Sequence, residues 1–274
     1  MKSAAQSGID RTQEQLRADA VPHAVATVVR TLSSTAAKPG MKAIVLADGE
    51  FAEGWRGGGC VTSAVRKAAK KAIETGEATL VCLRPEELLA DETDAKMVTL
   101  ARNGCPSKGS MDIFVEPVVP LPELVVYGEG PVALALLRIA RGFGFTLTVC
   151  GILDAAIVDA DHHYAAPADL DSQPSSNAAR YIVVATQGAG DIAALTSALA
   201  TSHAYVAFVG SRRKFAAYAG KLTDAGISET SLAGVRSPAG LHINAVTPEE
   251  IALSIMAEIV QTRRATRVSQ KADG

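Results

Sequence analysis

The sequence predicts an α/β protein: an N-terminal α+β domain followed by a Rossmann-like domain built on a doubly wound parallel sheet. Three observations predict it. A glycine-rich turn, Tyr127-Gly128-Glu129-Gly130-Pro131-Val132-Ala133, joins a short apolar run to a helix-like segment. After that turn, β-branched runs of strand length alternate with segments of helix length, as βα units of a parallel sheet do. Before it the alternation is missing, and three prolines, Pro117, Pro120 and Pro122, separate the two regimes. Prolines so spaced fit neither a helix nor a central strand. The expected division is 1–116 for the N-terminal domain, 117–122 for an extended linker and 123–274 for the nucleotide-binding domain.

The elements follow in order. Residues 23–31, HAVATVVRT, are rich in β-branched side chains and read as a strand. Residues 43–47 are a second apolar run, Asp48-Gly49 is a hairpin signal, and a short strand follows through Phe51. Residues 61–75 suit an amphipathic helix with Val61, Ala64, Val65, Ala68, Ala69 and Ala72 on one face, ended by Gly76. Strands are expected at 78–83 and 111–115. In the second domain strands are expected at 124–127, 146–150, 181–185 and 203–209, with helices at 131–141, 191–200 and 212–225. Thr247-Pro248-Glu249-Glu250 opens the last helix with a cap, a proline at the first position and a capping-box glutamate. Arg263 and Arg264 suit its negative end, and residues 1–15 and 265–274 read as polar tails.

Composition narrows the function. Lys and Arg number 27 against 29 Asp and Glu, which lacks the basic excess of a nucleic-acid binder. No stretch is apolar for long enough to span a membrane, and the first residues have no apolar signal core, so a cytoplasmic protein is expected. The four cysteines are then expected as thiols, with no zinc-like spacing among them.

Gly128, Gly130 and Ala133 fit G-x-G-x-x-A between a strand and a helix. The first glycine permits a tight turn, the second lets backbone approach a pyrophosphate, and the small third residue packs helix on strand. Phosphate would then meet the free N–H groups that open the helix, in the first turn that holds Pro131 and Val132. The acid expected at the end of the following strand is absent: Cys150-Gly151 stands there, with Asp154 three residues on. This lowers the case for ordinary NAD chemistry. Ligands of open α/β sheets bind outside the carboxyl ends of the strands. Thr186, Gln187, Gly210, Ser211, Arg212 and Arg213 are placed at such ends, and Ser237-Pro238 belongs to a further loop able to enter the same cleft. Arg212-Arg213-Lys214 puts three positive charges in a first helical turn, the wrong sign for the helix dipole, which favours a phosphate clamp over solvated charge.

Cys82 and Cys150 lie in apolar runs and read as packing. Cys60 follows Gly57-Gly58-Gly59 and opens a helix. A thiol there is poised toward thiolate, the nucleophile and metal ligand. Cys105, in a polar loop near Lys108, is a second and weaker candidate. His162-His163 has no partner acid at useful spacing.

Two sets of segments carry a resemblance. ATVVRT, PGMKAIVLADGEF and GGGCV form one; YVAFVGSRRKFAAYAGKL and RSPAGLHINAVTPEEIALSIMAEI form the other. Together they resemble the XdhC/CoxI family over residues 20–264, and within it the CoxF type of carbon monoxide dehydrogenase accessory protein. The resemblance implies a maturation factor more than a classical enzyme. Such factors bind the molybdenum cofactor, a pterin, while a metal ligand is exchanged for sulfur. They then pass it to an apo molybdenum hydroxylase, either carbon monoxide dehydrogenase or xanthine dehydrogenase. The family's cysteine matches Cys60 and its Rossmann loop matches Gly128, Gly130 and Ala133. The chain departs from the family at Cys150-Gly151, where an acid is common, and at Thr186-Gln187, where Thr-His is common. The expected cofactor is molybdenum cofactor or FAD, with NAD(P) and an oxidoreductase activity as the alternative. A cysteine desulfurase or another maturation factor is an expected further partner, and a homodimer is an open possibility.

Overall fold

A computed structural model describes residues 4–32, 37–89, 98–103, 109–151, 159–172 and 177–272. The chain forms two compact units, Met1–Pro120 with Arg267–Gly274, and Leu121–Thr266.

Unit 1 is α+β, as the sequence predicts. It contains α1 (Ala4–Ala18), β1 (His23–Leu32), β2 (Lys42–Leu46), β3 (Phe51–Gly54), α2 (Gly59–Thr75), β4 (Thr79–Arg84), α3 (Glu86–Leu89), β5 (Val98–Arg102) and β6 (Ser110–Val118). The sheet order is β3-β2-β1-β6-β4-β5, with β4 and β5 parallel and the other pairs antiparallel. The apolar face of α2, Val61, Val65, Ala68, Ala69 and Ala72, packs on Ala26, Val28, Val81, Ile113 and Val115 of the sheet. Gly76 ends α2 in the left-handed conformation, φ 67°, and its amide caps Ala72.

Three expectations for this region are corrected. The segment read as a polar tail forms α1, anchored by Ile9, which is 3% exposed. Pro117 is not in a linker but in β6, paired with Ala24 of β1. Pairing of β4 with β6 ends at Val115, so Pro117 has a strand on one side and its missing N–H is dispensable. The helix expected from Val61 starts two residues earlier, which places Cys60 inside its first turn.

Unit 2 is the doubly wound domain. Its elements are β7 (Glu123–Tyr127), α4 (Pro131–Ala140), a 3₁₀ turn (Arg141–Phe143), β8 (Thr146–Cys150), β9 (His162–Tyr164), α5 (Pro167–Asp171), β10 (Arg180–Val184), α6 (Asp191–Ala200), β11 (Tyr205–Phe208), α7 (Arg212–Asp224), α8 (Glu229–Ala233) and, as far as Thr266, α9 (Pro248–Ala272). The sheet is parallel throughout, in the order β11-β10-β7-β8-β9. Alternate residues of β7 go to opposite faces. Leu124 and Val126 meet α4 and α9, while Val125 and Tyr127 meet α6. At the amino end of the sheet, buried Glu123 accepts from Thr148 Oγ1 at 2.6 Å and Arg180 Nε at 2.7 Å, tying β7 to β8 and β10.

The cap of α9 forms as expected: Glu250 Oε2 accepts from Val246 and Thr247 amides at 2.8 and 2.9 Å, and Glu250 N–H donates to Thr247 Oγ1 at 3.3 Å. The helix runs on to Ala272, so neither a C-terminal tail from 265 nor a dipole role for Arg263 holds. Arg263 instead lies over the Phe145 ring at 4.9 Å and donates to Phe143 O. His162 and His163 lie in β9, which pairs with β8. Among the described residues no helix is long and apolar enough to cross a membrane.

Candidate functional site

A cleft of about 470 Å³ opens at the carboxyl ends of β7, β8 and β10. Its lining includes Tyr127, Gly128, Glu129, Gly130, Cys150, Gly151, Thr186 and Gln187. β8 continues the winding on one side of β7 and β10 resumes it on the other, so the cleft sits at the topological switch point.

Gly128 has φ 129°, and a β-carbon there would lie 2.3 Å from Ala185 O at the end of β10. Both facts require glycine. Gly130 has φ −76° and caps α4 without a side chain. The first bond inside α4 runs from Leu134 N–H to Gly130 O at 3.1 Å. Pro131 has no N–H, so Val132 and Ala133 bring the amides that helix geometry leaves unpaired at this end. The Ala133 side chain is fully buried beneath them, packing α4 on the sheet. These groups fit a phosphate.

Cys150 is 4% exposed, and burial pushes its thiol up to about 12. It packs, as the sequence suggests, and supplies no acid for a ribose. A β-carbon on Gly151 would lie 2.8 Å from Glu129 Cγ, so the glycine leaves room for the Glu129 side chain over the end of β8. Tyr127 lines the cleft, but its hydroxyl is committed inward. It bonds Ser197 Oγ at 2.8 Å, which donates to Asp171 at 2.6 Å, and burial pushes the phenol up to about 12.

The residue that organises this region is absent from the candidates drawn from sequence. Asp191, the first residue of α6, is 2% exposed. Its Oδ1 accepts from Thr186 Oγ1 and from Gly188 N–H at 3.0 Å. Its Oδ2 accepts from Lys214 Nζ at 2.7 Å and Tyr218 OH at 3.0 Å. Burial pushes the carboxyl up, yet these donors outweigh it and hold Asp191 below the usual carboxylate range. The available signal is an acid that opens a helix five residues after a threonine; its partners on α7 are not visible in the chain.

The other candidates fall elsewhere. Lys214 is turned onto Asp191, and it lies 5.5 Å from the Phe208 ring centre. The charge cluster at the start of α7 is thus partly neutralised by an acid from another helix. Ser211 caps α7 by accepting from Lys214 N–H, and Arg212 and Arg213 are exposed. Ser237 donates to Gly210 O at 3.3 Å, which brings these two loops together, with Pro238 exposed beside them. None of Gly210, Ser211, Arg212, Arg213, Ser237 and Pro238 lines the cleft as described. A β-carbon on Gly210 would strike the Phe208 ring at 2.3 Å, so that glycine serves packing.

In unit 1, Cys60 is exposed on the first turn of α2. A β-carbon on Gly57 would meet Val61 at 2.6 Å, whereas Gly58 and Gly59 have open space. Among the described residues no three His, Cys, Asp or Glu side chains are grouped to hold a metal. Cys105 and Asp154 lie outside the described residues.

Comparison with known families matches residues 124–259 to the XdhC Rossmann domain and residues 16–84 to the XdhC and CoxI family. Uncharacterized protein YqeB of Escherichia coli (strain K12) is 28% identical, the match covering 88% of this chain and 44% of that protein. A probable xanthine dehydrogenase subunit of Bacillus subtilis (strain 168) is also 28% identical, covering 57% of this chain and 48% of that protein. The chain thus spans about half the length of the curated relatives it matches. A crystal structure of a xanthine dehydrogenase from Bacillus halodurans aligns over 93% of this chain and 95% of its own, at 19% identity and a TM-score of 0.45.

Proposed function

We propose, from the premise that this chain belongs to the XdhC and CoxI family, that it is an accessory factor in the assembly of a molybdenum hydroxylase. In this reading it holds a phosphate-bearing cofactor in the cleft of unit 2. The observation that carries it is the cradle made by Gly128, Gly130 and the opening amides of α4. Gly128 lets β10 close on the turn, Gly130 leaves the helix start bare, and Val132 and Ala133 supply donors.

The cofactor is a molybdenum pterin or FAD; the first would supply a metal centre with an exchangeable ligand, the second an electron-carrying ring. The chain's own part is to bind the phosphate and hold the group out of bulk water. An ordinary NAD oxidoreductase is disfavoured by a buried Cys150 where the ribose acid would stand. Cys60 is the proposed soft ligand or sulfur carrier, its thiol exposed beside two glycines that packing does not require. The recipient is apo xanthine dehydrogenase or, if the chain is of the CoxF type, apo carbon monoxide dehydrogenase, with a cysteine desulfurase as the proposed sulfur source. Co-expression of the recipient with Cys60→Ala tests this role. Loss of recipient activity supports it, and full activity shows Cys60 to be dispensable.

A further inference from the structure

Gln187 has a backbone conformation that its residue type does not favour. Its φ is 54°, in the left-handed region, where a β-carbon is strained. Two other residues of the same loop with positive φ, Gly188 at 108° and Gly190 at 81°, are glycines. Asp191 enforces the strain, because one carboxylate oxygen bonds the residues on both sides of Gln187, Thr186 and Gly188. The Gln187 side chain is not buried in a core. It lies in the cleft with its carboxamide against Gly130, where a β-carbon would be 2.6 Å from the amide carbon, 2.7 Å from Oε1 and 2.8 Å from Nε2.

The charge of the cleft gives this position a meaning. Its described lining residues include no lysine, arginine or histidine, and the charged one among them is Glu129. A terminal phosphate carries close to two negative charges at neutral pH and is ordinarily met by arginine or lysine. Each phosphorus of an internal pyrophosphate diester carries one, which backbone amides and a neutral carboxamide can satisfy.

We propose that the cleft is selective for the internal pyrophosphate of a dinucleotide-type ligand over a terminal phosphate, and that Gln187 is the residue that reads it. The carboxamide Nε2–H donates to a phosphate oxygen seated at the start of α4. Asp191 is the positioning residue, holding the loop so that this amide faces Gly130. The proposal rests on the reading of the cleft as a phosphate site and sharpens the ligand class within it.

The test is calorimetric titration of the purified chain with two matched pairs, ADP-ribose against ADP and CDP-glucose against CDP. The diester of at least one pair binds about tenfold or more tighter than its terminal-phosphate partner. Gln187→Lys adds the missing cation and flattens that preference. Gln187→Gly, which accepts the left-handed backbone, weakens diester binding severalfold while the melting temperature holds or rises. A purely structural Gln187 would instead lose melting temperature and keep its preference. Equal binding of diester and terminal phosphate by the wild type, or a preference unmoved by Gln187→Lys, overturns the proposal alone. Failure of the wild type to bind any of the four overturns it together with the phosphate reading of the cleft.

Discussion

Asp191 Oδ2 and Lys214 Nζ stand 2.7 Å apart, joining the first turn of α6 to the first turn of α7. The acid is 2% exposed and the lysine side chain 36% exposed. Removing the acid strands a half-buried ammonium and frees the loop before α6. Asp191→Ala is expected to destabilise unit 2 by about 2–4 kcal/mol, and Lys214→Met by about 1 kcal/mol, since three neutral donors would still serve the carboxylate. Because Asp191 is held below its ordinary range, its stabilisation is present above about pH 4. It is lost as pH falls through the lowered value. Calorimetric melting from pH 6 to 3 should show a shallower acid limb for Asp191→Asn than for wild type.

The two glycines of the turn should respond differently to alanine. At Gly128 the new carbon would meet backbone, Ala185 O, from a backbone conformation already unfavourable to alanine. Gly128→Ala is expected to cost about 3 kcal/mol or more by urea unfolding. At Gly130 the φ is ordinary, and the obstacle is the flexible end of Gln187. Gly130→Ala should stay within about 0.5–1 kcal/mol of wild type, yet lose ligand binding, because the methyl group and the displaced amide crowd the cradle.

His23 supplies a pH dependence in unit 1. It is fully buried, Nδ1 donates to Val21 O at 2.8 Å, and Nε2 has no partner. Burial, stronger than the Val21 bond that opposes it, holds its pKa below 6.5. The neutral form is therefore the folded one. Its contribution is complete above about pH 6.5 and is lost as pH falls from there through the lowered value. Unfolding followed by the fluorescence of Trp55, the one tryptophan of the chain, should show a loss of stability as pH falls below about 6.5 that His23→Leu flattens.

Cys60 is exposed and opens α2 without packing against the core. Cys60→Ala should leave urea stability within about 0.5 kcal/mol of wild type. Recipient maturation should be lost, so that folding and function separate in one variant.

Features decided within a few residues are legible in the sequence. The turn at Gly128 and Gly130, the end of α2 at Gly76 and the cap at Thr247 and Glu250 each depend on local chemistry. Features decided by distant partners are not. Helix α1 is polar but for a few residues, and Ile9 anchors it only because a sheet is there to receive it. Lys214 looks like part of a phosphate clamp because its counter-charge, Asp191, comes from another helix. Gln187 stands out in the sequence only as a departure from its family's pattern. Its left-handed backbone and its approach to Gly130 exist only once β7 and β10 are side by side.

The most direct test of the central claim is the identity of what the protein carries. Wild type and Gly130→Ala would be purified side by side, denatured, and the released small molecules identified by mass spectrometry and absorbance. A phosphate-bearing pterin or flavin released by wild type and missing from Gly130→Ala is the predicted result. Release of the same molecule in equal amount by both proteins would place the ligand away from the α4 cradle and contradict the account.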